Sequence, residues 1–241
     1  DALLAALAQA GNPSSVHRAG RRARGLVEAA REQVAAAIGA QAREIVFTSG
    51  GTEANHLALR GAAAGAGARA VLTSTVEHDS LLAAARACDA GHVPVPVDRH
   101  GVIDLEALDV ALERAAGPAL VSVMLANNET GVIQPVAEVA RLAHRHGATV
   151  HCDAAQALGR LPVAMAELDV DLWTLSAHKA GGVAGVGELA ERDGLRIAPL
   201  LTGGGQEEAR RAGTENVAGI AAFGAAAQAA ASDCAAGETE R

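Results

Sequence analysis

"EIVFTSGGTEANHLAL", residues 44–59, decides how the rest of the chain is read. EIVFT at 44–48 is apolar, with β-branched and aromatic side chains that suit a short buried strand. SGG interrupts it, and a helix is expected from Thr52. A strand, a glycine turn and a helix in immediate succession are half of a βαβ unit.

The same alternation continues on both sides. Residues 26–38, "LVEAAREQVAAAI", place Val27, Ala30, Val34, Ala37 and Ile38 on one helical face, and Gly39 supplies a stop. Strands are expected at 70–74, 119–125, 148–152 and 171–177, and an extended, proline-marked edge at 93–97. Helices are expected at 80–88, 104–116 with Asp104 near its cap, 135–147 with Pro135 at its start, and 217–231. Residues 61–70 read as a flexible connection, and a glycine-rich connection follows residue 177. The predicted class is α/β, with a mainly parallel sheet covered by helices on both faces. Ligands bind such sheets beyond the carboxyl ends of the strands. That points to TSGGT, ANNETG, DAAQ and SAHK.

Composition narrows the function. Half of the 241 residues are apolar, but Phe47, Phe223 and Trp173 are the only aromatics. That is too few for a base-stacking surface, and a net charge of −8 opposes general binding to a phosphate backbone. The basic run "HRAGRRAR" (17–24) reads as the polar start of a helix. Cys88, Cys152 and Cys234 are widely spaced, with no CxxC pair, which fits a reducing, cytoplasmic setting. No run reads as membrane-spanning. His144 and His146 do not share a helical face, so no metal site is expected there.

Lys179, in "TLSAHKAGG" (174–182), is the only lysine, against 19 arginines. An amine can lose its proton and form a Schiff base, and a guanidinium cannot. The turn at 48–52 offers free N–H groups and a helix start to an anion. Asp153 ends a strand, where it can either cap a following turn or face a ligand. The two asparagines of "LANNETG" can likewise serve only the turn. His78 can cap a helix or face solvent. Taken jointly, an anion-binding turn, an acid, amides and one lysine at the strand ends of one sheet suit pyridoxal 5′-phosphate (PLP). Its phosphate needs a helix N-terminus, its pyridine nitrogen a carboxylate and its aldehyde an amine.

Seven motifs, in order, resemble the cysteine desulfurase family (NifS/IscS-like), within class V of the fold-type I PLP enzymes. They are NPSSVHRAG (12–20), FTSGGTEANHLAL (47–59), EHDS (77–80), NNETGVIQP (127–135), HCDAAQALGRLP (151–162), DLWTLSAHKAGG (171–182) and GGGQEEARRAGTEN (203–216). The resemblance implies that residues 1–241 are the large PLP-binding domain of a fold-type I transferase. Lys179 would carry the cofactor and move protons, and Asp153 would pair with the pyridinium nitrogen. Gln156 and Asn128 would bond the ring oxygen and its surroundings, and His78 would stack on the ring and assist acid–base steps. Gly51, Thr52, Ser176 and His178 would hold the phosphate. Thr214 would reach the phosphate of a neighbouring subunit, which implies a homodimer.

The implied reaction takes sulfur from L-cysteine, leaving L-alanine and an enzyme persulfide. That persulfide would feed a sulfur acceptor or an iron–sulfur scaffold protein. Three departures stand against a complete match. The family's nucleophilic cysteine and its substrate-binding arginine lie beyond the region matched here, and none of the three cysteines fits the nucleophile. The family's opening segment is missing, and so is its small C-terminal domain, whose absence would leave apolar surface exposed. HKAGGVAGVGEL lacks the usual Pro-Lys after the glycine. Another class V enzyme (an aminotransferase or selenocysteine lyase) and a non-catalytic truncated homologue remain as alternative readings.

Overall fold

A computed structural model describes residues 1–9, 11–115, 117–161 and 165–239. The expected end of one helix at residue 116 and the last residue of the 151–162 motif lie outside the described residues. Seven strands form one sheet: β1 (Ile45–Thr48), β2 (Ala70–Ser74), β3 (Gly91–Val95), β4 (Ala119–Met124), β5 (Thr149–Asp153), β6 (Leu172–Ser176) and β7 (Gly187–Glu191). Their order across the sheet is β1-β7-β6-β5-β4-β2-β3. β2, β3, β4, β5 and β6 pair in parallel, while β7 runs antiparallel to both of its neighbours. The proline-marked stretch is the edge strand β3, as its composition requires.

Helices cover both faces. They are α1 (Ala2–Leu7), α2 (Arg18–Ile38), α3 (Gly51–His56), α4 (Ala62–Ala66), α5 (Asp79–Arg86), α6 (Leu105–Ala115), α7 (Val136–Arg145), α8 (Met165–Leu168) and α9 (Val217–Thr239). Because side chains alternate along a strand, the sheet feeds a core on each face. Ile45, Phe47, Leu72, Val121, Val150, Trp173 and Ala190 pack with residues of α2, α6, α7 and α9. Val46, Val71, Leu120, Leu172 and Leu189 pack with residues of α3, α4 and α5 on the opposite face. The basic run is the first turns of α2, with His17 capping it by accepting from the Gly20 N–H at 3.1 Å. Asp104 caps α6 by accepting from the N–H groups of Glu106 and Ala107.

Three expectations are corrected. Residues 61–66 are not a connection: a π-helical turn, Leu57–Gly61, carries α3 straight into α4, and only Gly67, at φ 61°, ends it. The glycine-rich connection after residue 177 contains β7, whose five residues GELAE carry almost no strand signal but gain two partners in the sheet. Finally, 217–236 of α9 is long and apolar enough to cross a membrane by length and composition. Alanine gives it that character, and its buried side, Ile220, Phe223 and Ala227, belongs to the core shared with α2.

Candidate active site

The carboxyl ends of β1, β2, β4, β5 and β6 meet around a cavity of about 420 Å³. Nine of the ten residues singled out from the sequence line it: Gly51, Thr52, His78, Asn128, Asp153, Gln156, Ser176, His178 and Lys179. The tenth, Thr214, lines a separate small cavity with Ser49, Gly185 and Arg211. Segments far apart in sequence converge here because the parallel strands all deliver their carboxyl ends to the same edge.

At the β1 end, Thr48 Oγ1 donates to the Gly50 carbonyl at 3.0 Å, and Glu53 accepts from the Ser49 N–H at 2.9 Å. These bonds fix the turn and leave the first amides of α3 pointing out of the helix without intrahelical acceptors. Arg211 holds Glu53 at 2.8 Å. Burial pushes the Glu53 carboxyl up, but its contacts with Arg211 and Ser49 outweigh this and hold it below its ordinary range. The end of β6 approaches closely: a methyl on Gly51 would lie 3.4 Å from Ser176 Cβ. Ser176 Oγ lies 3.0 Å from His178 Nδ1. After β6 the chain makes one 3-10 turn, Ala177–Lys179, which carries the lysine into the cavity wall. The Lys179 amine has no hydrogen-bond or ion-pair partner among the described residues.

Asp153 caps the turn after β5 and also lines the cavity. Its Oδ1 accepts from the Ala155 N–H at 3.0 Å, closing the turn, and its Oδ2 accepts from Asn55 Nδ2 at 2.8 Å. Burial raises the Asp153 carboxyl pKa, while the bonds from Ala155 and Asn55 oppose that rise. His78 likewise both caps α5, with Nδ1 accepting from the Ser80 N–H at 3.1 Å, and lines the cavity. The two asparagines divide the work. Asn127 serves the turn, with Oδ1 accepting from Glu129 and Thr130 and Nδ2 donating to the Val76 carbonyl, whereas Asn128 lines the cavity.

Beneath the cavity lies a polar row inside the sheet. Ser122 Oγ is 2.7 Å from His151 Nδ1, and His151 Nε2 is 2.9 Å from Thr174 Oγ1. Full burial lowers the His151 pKa to about 3, so the ring is neutral. Three further residues shape the site without having been singled out. Asn55 and Ser80 join Asp153 to His78. Glu77 ties the His78 segment to β4, accepting from Ser74 Oγ at 2.6 Å and from the Met124 N–H at 3.0 Å. Burial raises the Glu77 pKa to about 8 against those two bonds, and Asp153 adds to the rise. All three stand inside quoted motifs, but a polar residue within a helix or turn carries no local sign of what it will face.

The cysteines stand apart from this chemistry. Cys152 is fully buried on β5, and burial pushes its thiol well up. Cys88 donates to the Ala84 carbonyl at 3.3 Å, and none of the three lines the cavity. His144 and His146 bond Asp171 and Asp109 separately.

The chain is 45% identical over 221 residues to cysteine desulfurase IscS of Dictyoglomus turgidum, covering 90% of this chain and 56% of that one. It is 47% identical over 229 residues to a cysteine desulfurase of Cereibacter sphaeroides, covering 90% and 57%. The structure of a NifS-like protein from Rickettsia africae superposes with a TM-score of 0.91 at 36% identity, covering 97% of this chain and 65% of that one. The chain therefore spans a little over half the length of the curated relatives it matches. The aminotransferase class-V family matches residues 4–238, and the chain belongs to that family.

Proposed function

We propose that this chain is the PLP-binding part of a cysteine desulfurase, which takes sulfur from L-cysteine and leaves L-alanine. The observation that carries the reading is the meeting, in one cavity, of an unpartnered lysine with a buried aspartate and a helix start. The donor set fits the cofactor: an amine for its aldehyde, a carboxylate for its pyridine nitrogen, and amides with a serine hydroxyl for its phosphate.

Bound, PLP supplies an electron sink that weakens bonds at the substrate Cα and Cβ. Lys179 is the residue that attaches it and that can carry a proton to and from the substrate. Asp153, with Asn55 on one oxygen, holds positive charge at the ring nitrogen. The first amides of α3, with Ser176 and His178, hold the phosphate. Asn128 and Gln156 would orient the ring, and His78 would stack on it. Since no cysteine lines the cavity, the thiolate that receives sulfur is supplied from outside these residues. The persulfide would then serve a sulfur acceptor or an iron–sulfur scaffold protein. The active form is a homodimer in which Thr214 of one copy completes the phosphate site of the other. Three free thiols suit the cytoplasm.

The test is reduction with borohydride in the presence of PLP, followed by peptide mapping. One adduct on Lys179 Nζ, lost in Lys179→Arg, is expected. A folded chain that takes no adduct would remove the reading.

A further inference from the structure

Asp153 and His78 stand at different strand ends, yet one run of hydrogen bonds joins them. Asn55 Nδ2 lies 2.8 Å from Asp153 Oδ2 and 3.1 Å from Ser80 Oγ. Ser80 Oγ lies 2.8 Å from His78 Nδ1, and the Ser80 backbone N–H meets the same ring nitrogen at 3.1 Å.

The direction of each proton follows from the two ends. Asn55 turns its NH₂ toward Asp153, with Nδ2 donating to Oδ2. That same NH₂ donates to Ser80 Oγ. Having accepted one proton, the hydroxyl has its own left to donate, and the Ser80 backbone N–H can only donate. His78 Nδ1 therefore faces two donors and must be the acceptor. In a neutral imidazole the proton then sits on Nε2. Asn55, 2% exposed, leaves its Oδ1 buried without a partner in this orientation. Flipping the amide would change that, but it would set a carbonyl against the carboxylate.

We propose that Asn55 and Ser80 are positioning residues that hold His78 as its Nε2–H tautomer, so that it meets the cavity as a hydrogen-bond donor. Nε2 has no partner among the described residues, which leaves its proton available to a bound group. The purpose of this arrangement rests on the PLP reading, but the arrangement itself does not. The arrangement gives His78 donation rather than the removal of a proton through Nε2.

The chain labelled with ¹⁵N-histidine, without cofactor, tests this by two-bond ¹⁵N–¹H correlation, with His78→Gln to assign the signals. Nδ1 is expected in the unprotonated range and Nε2 in the protonated range; a protonated Nδ1 would overturn the proposal. Ser80→Ala, checked for folding by circular dichroism, removes the hydroxyl but keeps the backbone donor. It should lower the ratio of Nε2–H to Nδ1–H tautomer about fivefold, the equivalent of one hydrogen bond. Ser80→Thr should restore it. An unchanged ratio in a folded Ser80→Ala chain would also sink the proposal, since the cap alone would then set the tautomer. If Ser80→Ala does not fold, the wild-type and Ser80→Thr spectra decide: both must show Nε2–H. A missing PLP adduct would remove the functional reading without touching these spectra, and a wrong tautomer would leave the adduct standing.

Discussion

Arg31→Met separates the buried electrostatics from the site they support. Arg31 sits on α2, 8% exposed, and its fork grips Glu207 at 2.8 and 2.9 Å. It also donates to the Ile45 carbonyl at 2.7 Å and lies 4.9 Å from the centre of the Phe47 ring. Glu207, 6% exposed, is held at φ 46° at the head of the segment that leads to Arg211. Methionine keeps most of the aliphatic volume but leaves the Glu207 carboxylate with only the Phe47 N–H, at 2.9 Å. Breaking one side of a buried ion pair costs about 3–5 kcal/mol. The partner on the surface, Glu28, adds at most about 1 kcal/mol. With a urea slope near 2 kcal/mol per molar, the unfolding midpoint should fall by roughly 2 M. Glu207→Gln keeps an acceptor for the Phe47 N–H but loses the charge and the bond from Arg31 Nη2, so it should cost less than Arg31→Met but well over a surface change. Adding Glu207→Gln to Arg31→Met should cost little more than Arg31→Met alone, because the stranded charge is gone. Urea unfolding of all four chains at one concentration reads this cycle. A midpoint for Arg31→Met within a few tenths molar of wild type, or additive costs in the double variant, would refute the reasoning.

Other outcomes follow from the same geometry. Glu77 is protonated when folded, with its pKa raised to about 8, so its contribution is complete below about pH 4.5 and declines as pH rises toward 8. Glu77→Gln should flatten that decline in a series of unfolding curves between pH 5 and 8; an unchanged slope would show that another group causes it. His151 has its pKa lowered to about 3 and should stay neutral far below pH 6.5. Stability then falls as pH drops from about 6.5, because only the unfolded chain takes up that proton. An NMR titration of His151 with a midpoint near 6 in the folded chain would contradict this. Gly187→Ala places a methyl on β7 at 2.5 Å from the Gly50 backbone. It should cost about 1–3 kcal/mol through overpacking. It should also weaken PLP retention by displacing the Gly50–Gly51 turn, and full retention at lowered stability would separate the two effects.

Much of the fold was legible because its signals are local. EIVFT followed by SGG, and the apolar stripe of α2, each announce their structure within a few residues. The proline-marked edge strand was legible too, since proline cannot donate to a central ladder. β7 was not. GELAE has a buried glutamate and a glycine where strand formers are expected, and it is a strand because β1 and β6 leave a gap of that width between them. The helix over 61–66 was equally hidden: the alanine- and glycine-rich stretch 61–70 reads as a linker until Gly61 and Gly65 are seen pressed against the backbone of Ala198 and Arg196.

The site divides the same way. Residue type and strand-end position marked Lys179 and Asp153 as groups with chemistry to offer, the family resemblance added His78, and the parallel alternation said at which end of the sheet they would meet. Only the tertiary structure decided what each of them faces. It gave one oxygen of Asp153 to a turn and the other to Asn55. It set Asn127 to hold a loop and turned Asn128 into the cavity. It also placed a hydroxyl and an amide between the Asp153 carboxylate and the His78 imidazole, which are far apart in sequence. Periodicity and residue chemistry are carried by neighbours along the chain, so a sequence states them directly. Hydrogen-bond direction and burial depend on groups brought together by the sheet, and they exist only once it has formed.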